Sequence, residues 1–327
     1  MKKIYSILLS LGTLFLLAGC TNQEETKDLK EVTLVLDWTP NTNHTGIYAA
    51  EKNGYFEEAG FKVNIVQPPE DGATLMVASG KAQFGIDFQE YMAPAFATEE
   101  PLPVTAVAAI IQHNTSGLVS LKENGIESPA DLEGHTYATW DMDVEKAIIK
   151  HIMEKDGGDY SKLNMIPSTV TDVVTALKTD FDLVWIYYAW DGIALEVQGV
   201  ETNYLNLADV DNALDFYSPV IIANNDYLKD NKEEAKAFMA AVKKGYEFAM
   251  EKPEDAAKIL CEAAPELDEE IVNASQKWLA DQYQSDAKSW GEIDPKRWDG
   301  FYAWLYQTGV IEVEIEQGMG FSNDYLE

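Results

Sequence analysis

The stretch LVLDWTPNTNHTGIY, residues 34–48, begins as a strand, continues as a polar loop and ends in the first turn of a helix. Apolar and β-branched residues alternate through residues 32–36, which predicts a strand. Pro40 has no backbone N–H and disfavours helical geometry in the residue before it, so the strand must end ahead of it. A helix is predicted to begin near Ile47. Strand, loop and helix in this order are typical of an α/β fold.

The loop within this stretch is a candidate binding site. Ligands of open α/β sheets bind beyond the carboxyl ends of the strands, where this loop is expected to lie. Trp38 offers an aromatic face, and Asn41 and His44 offer neutral hydrogen-bonding groups. The alternative is an ordinary connecting loop built around a buried tryptophan.

Composition limits the protein class and the partners. The chain has 327 residues, of which 46% are hydrophobic and 24% are charged, a globular composition long enough for two compact units. Its formal net charge is −32. Such a chain repels the phosphates of nucleic acids and anionic lipid headgroups, so no nucleic-acid partner is expected.

The N-terminus reads as an export signal. Lys2 and Lys3 precede an apolar run that is too short for a transmembrane helix, which needs about 20 residues. The run ends in LAGC, residues 17–20, which resembles the bacterial lipobox. That resemblance implies that residues 1–19 are a lipoprotein signal peptide and that Cys20 carries the lipid. The protein would then be anchored to the extracytoplasmic face of the cell membrane, with residues 20–31 as a flexible tether.

Cysteine usage agrees with this interpretation. Cys20 and Cys261 are the two cysteines of the chain. If Cys20 carries lipid, no intramolecular disulfide can form, and Cys261 reads as a free thiol within a helix. The domain must then be held together by its hydrophobic core.

The order of predicted elements indicates an α/β protein with two lobes. Strands and helices alternate through the first part of the chain, and helices dominate after residue 232. We predict that residues 32–121 and 218–327 form a discontinuous lobe I and that residues 122–217 form lobe II. A ligand cleft is expected between the two lobes.

Polar and aromatic residues recur directly after predicted strands, at five places. In a two-lobed clamp these strand ends face one cleft, and the coincidence favours a binding site over five separate helix caps or packing contacts. The five clusters are Asp37/Trp38/Asn41/His44, Asp87/Phe88/Gln89/Tyr91, Asn114/Thr115/Ser116, Trp140/Asp141 and Tyr187/Tyr188/Trp190/Asp191.

The character of these clusters restricts the ligand. They combine aromatic rings with carboxylates and amides and contain no lysine or arginine. A phosphate, sulfonate or nitrate would require cationic donors or a helix N-terminus. A flat heterocycle with amino groups suits the clusters better, because it can stack on the rings and donate to carboxylate and amide oxygens.

Catalysis has little support in the sequence. The four histidines are scattered, and no pair of ligands has the spacing of a metal site. There is no glycine-rich phosphate loop and no nucleophile elbow. We therefore predict no metal, no cofactor and no catalytic residue.

Four sequence motifs carry a family resemblance. They are Trp38-x-Pro40-Asn41-x-x-His44, then Gly54-Tyr55-Phe56-x-x-x-Gly60, and later Ala78-Ser79-Gly80-Lys81-Ala82-Gln83-Phe84-Gly85 with Pro129-Ala130-Asp131-Leu132-x-Gly134. The chain resembles the family that contains fungal thiamine-pyrimidine precursor synthases and bacterial periplasmic binding proteins. The resemblance covers most of the chain and implies a type II periplasmic binding protein fold.

Within that family, the chain is most similar to the ThiY-type branch of bacterial lipoproteins. The resemblance implies a monomeric solute-binding protein that delivers a formylated aminomethyl-pyrimidine to an ABC transporter permease for thiamine biosynthesis. A binding protein for another small nutrient, such as a flavin precursor, sulfonate or nitrate, remains an alternative. The expected ligand-binding residues are Trp38 and Trp190 for stacking, Asn41, Gln89 and Asn114 for hydrogen bonds, Asp37, Asp87 or Asp191 as the acceptor from an exocyclic amine, Tyr91 and Tyr188 as walls, and also His44 and Ser116.

The sequence departs from the enzymes of the family at two places. By resemblance, Asp87 stands where the fungal enzymes have the lysine that binds pyridoxal phosphate, and Tyr91 stands where they have a histidine. Residues 215–219 replace their cysteine-rich run. An aspartate cannot form a Schiff base, so a pyrimidine precursor synthase is the less favoured alternative.

Overall fold

The computed structural model describes residues 28–326 and contains two five-stranded sheets. The predicted signal peptide and Cys20 lie outside the described residues. The strands are β1 Lys30–Val35, β2 Phe61–Val66, β3 Phe84–Asp87, β4 Val104–Ala109, β5 Ser116–Leu121, β6 Thr136–Thr139, β7 Asn164–Pro167, β8 Leu183–Tyr187, β9 Thr202–Asn206 and β10 Val220–Asn224.

Helices follow most of the strands and dominate the C-terminal third. They are α1 Thr45–Lys52, α2 Tyr55–Glu58, α3 Gly72–Ala78, α4 Gln89–Phe96, α5 Asp143–Lys155, α6 Val173–Thr179, α7 Ile193–Val197, α8 Leu207–Val210, α9 Asn225–Asp230, α10 Lys232–Glu251, α11 Pro253–Ala263, α12 Glu269–Leu279 and α13 Pro295–Gln307. In the part of the chain that the structure describes, none of them has the length and apolar character needed to span a membrane.

The first sheet has the strand order β2-β1-β3-β10-β4. β1 runs parallel to β2 and β3, and β10 runs antiparallel to β3 and β4. The carboxyl ends of β1, β2 and β3 therefore meet at one edge. Pairing of β1 with β2 starts at Lys30, opposite Phe61, so the strand takes in the last two residues of the predicted tether.

The second sheet has the order β7-β6-β8-β5-β9. β5 pairs antiparallel with both β8 and β9, with Ser116 opposite Tyr187 and Gly117 opposite Asn206. β5 therefore belongs to the second sheet, whereas residues 116–121 were expected in lobe I. The alternation of a strand predicts its faces but not its partners, and both partners of β5 come more than 60 residues later in the chain.

The C-terminal helices complete the core of the first lobe. Phe238 of α10 stacks on Phe84 of β3, with ring centroids 4.1 Å apart and an interplanar angle of 13°. Helices α1 and α10 approach so closely that a Cβ atom on Gly245 would lie 2.0 Å from the carbonyl oxygen of Gly46. This contact requires glycine at position 245.

Two connecting segments, residues 110–115 and 214–219, join the two sheets. His113 on the first segment lies 2.8 Å from Asp215 on the second, measured from Nδ1 to Oδ2. Arg297, from α13, lies 3.5 Å from the same carboxylate and also donates to the carbonyl of Gln112. Ion pairing therefore fixes one connecting segment against the other.

Candidate functional site

A cleft of about 1290 Å³ lies between the two sheets. Its walls come from the carboxyl ends of β1, β2 and β3 on one side and of β6, β7 and β8 on the other, where ligands of α/β folds bind. The lining residues are 37–39, 41, 43, 68–75, 86–88, 91, 94, 95, 98, 100 and 102 on the first side, and 140, 142, 169–171, 187, 190 and 191 on the second.

The loop after β1 presents Trp38 and Asn41 to the cleft. The Asn41 side chain accepts from the backbone N–H of Asn43 at 2.9 Å and so caps the turn that leads into α1. The Trp38 side chain is 53% exposed, which is unusual for a tryptophan. An exposed ring at the mouth of a cleft is available to a ligand.

His44 does not reach the cleft, contrary to its predicted role as a ligand-binding residue. It is fully buried, and its Nδ1 accepts from the backbone N–H of Asn41 at 3.2 Å. The other ring nitrogen, Nε2, then carries the proton and donates to Asp37 at 2.6 Å. His44 therefore holds the loop in shape, and Asp37 is the member of the pair that lines the cleft.

Asp87 lines the cleft, but its hydrogen bonds go to its own chain. One oxygen accepts from the backbone N–H and the hydroxyl of Thr74, and the other accepts from the N–H of Phe88 at 2.8 Å. Burial raises the pKa of Asp87 to about 6, although these hydrogen bonds oppose the shift. The carboxylate ties the end of β3 to the start of α3.

Asp191 and Trp190 lie on the opposite wall, in a wide helical turn at Tyr188–Gly192. Burial raises the pKa of Asp191 to about 6, so the group is ionised at neutral pH. No ion pair to Asp191 forms within residues 28–326. Trp190 packs its remaining surface against Leu260 and Val272 of α11 and α12.

Two other predicted contact residues are turned away from the cleft. The Gln89 side chain is buried, donates to the carbonyl of Trp298 and accepts from the N–H of Tyr217. Tyr188 packs on Tyr204 and Trp278, with centroid distances of 4.8 and 5.3 Å. Gln89 therefore satisfies backbone hydrogen-bonding groups, and Tyr188 packs against two neighbouring rings.

Asn114 and Ser116 also lie away from the cleft, because they belong to the first connecting segment and β5. The Asn114 amide donates to the carbonyl of Leu214, and its oxygen accepts from the N–H and hydroxyl of Ser116. The pair joins the two connecting segments. Their predicted contact with a ligand is therefore not supported by this arrangement.

Three lining rings form a stacked series that the predicted site residues do not include. Tyr187 stacks on Phe88, with centroids 5.2 Å apart and an angle of 21°. Trp140 lies on the other side of Tyr187, at 6.4 Å and 13°. All three belong to the predicted strand-end clusters, and their position directly at a strand end is the signal that could have found them. Met142 and residues 169–171 carry no such signal.

Tyr91 is the remaining predicted residue, and it does line the cleft. Its ring meets Phe88 edge-on at 5.2 Å. Six of the lining residues are carboxylic acids and none is lysine, arginine or histidine: Asp37, Glu70, Asp71, Asp87, Glu100 and Asp191. Such a site disfavours anions and suits a ligand that donates hydrogen bonds or carries positive charge.

Among residues 28–326, no group of three or more histidine, cysteine, aspartate or glutamate side chains is arranged to hold a metal ion. The aromatic and acidic side chains that line the cleft offer ring stacking and hydrogen-bond acceptance.

Comparison with solved structures identifies the fold. The alkanesulfonate-binding protein SsuA from Xanthomonas axonopodis pv. citri, bound to MOPS, superposes with a TM-score of 0.69 at 12% identity, covering 90% of this chain and 99% of that one. This similarity confirms the prediction of a type II periplasmic binding protein fold with two α/β lobes.

Comparison of sequences identifies the relatives. The formylaminopyrimidine-binding protein of Halalkalibacterium halodurans is 31% identical over 99% of both chains. The 4-amino-5-hydroxymethyl-2-methylpyrimidine phosphate synthase of Legionella pneumophila is 29% identical over 90% of this chain and 92% of its own. The family model described as NMT1/THI5 like matches residues 41–256. These relatives support a solute-binding role and a link to thiamine, and the chain belongs to the NMT1/THI5-like family.

Proposed function

We propose that this protein binds N-formyl-4-amino-5-aminomethyl-2-methylpyrimidine outside the cytoplasm and delivers it to an ABC importer for thiamine biosynthesis. The observation that carries the proposal is the composition of the cleft: aromatic rings on both walls, acidic acceptors and no basic side chain among its lining residues. The relative from H. halodurans, named for formylaminopyrimidine, supports the same ligand class.

Binding would proceed by closure of the lobes on the ring. Trp38 from the first wall and Trp190 from the second stack on the pyrimidine, and Asp191 accepts hydrogen bonds from its exocyclic amine. Asn41 supplies a further directional contact. Tyr91, Tyr187 and Trp140 line the inner part of the cleft and exclude water from the ring.

A synthase function is not favoured. Asp87 cannot form a Schiff base with pyridoxal phosphate, and its oxygens are already occupied by Thr74 and Phe88. The protein is therefore proposed to be a carrier without catalytic activity. Adding pyridoxal phosphate and recording the absorbance spectrum tests this, because an aldimine band would overturn the proposal.

The proposed location rests on the N-terminal sequence. The LAGC tetrad supports lipid attachment at Cys20 on the extracytoplasmic face, and we propose a monomer that docks on a permease. Labelling cells with a fatty-acid analogue should mark the wild-type protein, and Cys20→Ala should abolish the label. Label retained by Cys20→Ala would exclude attachment at this residue.

A ligand panel tests the assignment directly. The formylated pyrimidine, its deformylated amine, a flavin precursor, an alkanesulfonate and nitrate are each titrated by calorimetry and by thermal unfolding. A true ligand present at 100 times its Kd adds about 2.7 kcal/mol to the free energy of unfolding. Tight binding of the sulfonate or nitrate without any pyrimidine would refute the proposal.

A further inference from the structure

Glu90 is a buried carboxyl group directly beneath the cleft. It lies in the first turn of α4 and is 2% exposed. Its Oε1 accepts from the hydroxyl of Ser218 at 3.2 Å and from the phenol of Tyr187 at 3.4 Å. Its other oxygen, Oε2, has no hydrogen-bond partner among residues 28–326.

No cationic side chain among the described residues faces Glu90 to balance a negative charge. The ionisable groups that face it are Asp87 on β3, Tyr91 on α4, Tyr187 on β8 and Tyr302 on α13. Each of these groups is neutral when protonated and negatively charged when deprotonated, so none can form an ion pair with a carboxylate. Within the described part of the chain, Glu90 makes no ion pair with lysine, arginine or histidine.

An isolated buried carboxylate is strongly disfavoured, and such a group takes up a proton instead. Burial raises the pKa of Glu90 to about 8, and the charge of Asp87 adds to the shift. Hydrogen bonds from its own backbone N–H, from Ser218 and from Tyr187 oppose the shift only in part. The burial and the missing partner therefore both indicate a neutral acid at pH 7.

Glu90 connects three parts of the molecule. It belongs to the first lobe, Tyr187 ends β8 of the second sheet, and Ser218 lies on the second connecting segment. The ring that Glu90 holds is the central member of the stacked series, between Phe88 and Trp140. Displacing the Tyr187 phenol would therefore move an aromatic wall of the cleft.

We propose that Glu90 is a positioning residue held as a neutral carboxylic acid beneath Tyr187, and that loss of its proton leaves an uncompensated buried charge at Oε2, whose hydration disturbs the packing of this ring and weakens ligand binding. The ligand part of this inference rests on the proposed function, while the protonation state of Glu90 does not. The linkage sign follows: a carboxyl group whose pKa is raised on folding stabilises the folded state at low pH and loses that contribution as pH rises toward about 8.

The matched pair for the test is Glu90→Gln and Glu312→Gln. Glutamine keeps the shape of the neutral acid but cannot ionise, and Glu312 is an exposed glutamate outside the cleft. Infrared spectra at pH 7 should show the carbonyl band of a protonated carboxylic acid in the wild type and in Glu312→Gln, and this band should be absent from Glu90→Gln. No such band in the wild type would overturn the proposal, whatever the ligand does.

A second readout reports on the position of Tyr187 without any ligand. Between pH 7 and 9.5, tryptophan fluorescence of the wild type should change, because Trp140 faces Tyr187. The change should be absent from Glu90→Gln and from Trp140→Phe. A change of equal size in Glu90→Gln would exclude the positioning role.

Affinity completes the test. The Kd for the formylated pyrimidine should rise about tenfold for the wild type between pH 7 and 9.5, and should stay nearly constant for Glu90→Gln. Equal pH dependence in both proteins would contradict the proposal. If the pyrimidine does not bind at all, the proposed function is wrong. The inference that Glu90 is a neutral acid is still supported in that case, provided that the infrared and fluorescence results are as expected.

Discussion

His113 and Asp215 face each other across the two connecting segments, with Nδ1 and Oδ2 2.8 Å apart. Hydrogen bonding to Asp215 raises the pKa of His113 above its ordinary value, against the opposing effect of burial. The charged pair therefore stabilises the junction below the ordinary histidine pKa, about 6.5, and its contribution disappears as pH rises through the raised value.

We predict that His113→Gln loses more stability at pH 5.5 than at pH 9. The deficit at pH 5.5 should be about 0.5–1 kcal/mol, since the histidine is partly exposed and solvent screens the pair. Urea unfolding at both pH values measures it. An equal deficit at the two values would show that the charge of His113 does not contribute.

His44→Ala should destabilise the protein without removing any direct ligand contact. It leaves Asp37 and the N–H of Asn41 without their partner in a buried loop, which costs about 1–3 kcal/mol. Urea unfolding at pH 7 gives the change in stability, and calorimetry gives the affinity. Unchanged stability with lost affinity would instead place His44 at the ligand.

Asp191→Asn and Asp87→Asn should separate a ligand contact from a structural one. Asp191→Asn should weaken pyrimidine binding about tenfold or more at pH 7, because a charged acceptor is lost, with little effect on unfolding. Asp87→Asn should lower stability, because its carboxylate accepts from Thr74 and Phe88. Calorimetry and urea unfolding of both variants measure the two effects, and the opposite pattern would contradict both roles.

The raised pKa of Asp191 also predicts that ligand affinity depends on pH below neutrality. Burial raises the pKa of Asp191 to about 6, so wild-type affinity should weaken as pH falls below that value and the acceptor is protonated. In Asp191→Asn this part of the profile should flatten. Calorimetric titrations at pH 5, 6 and 7 provide the comparison.

Trp38→Ala and Trp190→Ala should also differ. The ring of Trp38 is exposed, so we expect it to contribute to ligand binding and not to stability. Its removal should weaken binding about tenfold and leave the free energy of unfolding unchanged. Trp190 packs on α11 and α12, and its removal should in addition cost about 2 kcal/mol of stability. Trp38→Phe is the control, since it keeps an aromatic face. Full binding by Trp38→Ala would remove this ring from the proposed site.

The sequence could predict much of the architecture, because periodicity and turn residues are local signals. The helical character of the chain after residue 232 follows from its apolar spacing, and the strand-end rule brings together residues that line one cleft: Trp38, Asn41, Asp87, Tyr91, Trp190 and Asp191. The rule works because the carboxyl ends of parallel strands share an edge.

The remaining predicted site residues lie away from the cleft for reasons that are not local. The order of the predicted elements assigns Asn114 and Ser116 to lobe I. Ser116 begins β5, however, and β5 pairs with β8 and β9 of the second sheet. Tyr187 and Tyr188 are adjacent, and side chains alternate along a strand, so a one-residue error in where β8 ends exchanges the ring that faces the cleft. Gln89 belongs to a strand-end cluster whose other members line the cleft. Its own side chain instead forms hydrogen bonds with backbone groups of residues 217 and 298.

The hydroxyl of Ser275 on α12 donates to the carbonyl of Ala189 and lies 2.6 Å from the hydroxyl of Thr42, from which it accepts. One side chain thus joins the loop after β1, the turn that carries Trp190 and Asp191, and a helix from the last fifth of the sequence. A shortened protein ending after α11 would retain every strand of both sheets. It would nevertheless lose the backing of one cleft wall and the buried side chains that α12 and α13 add to the core, so binding would fail although every strand is still encoded.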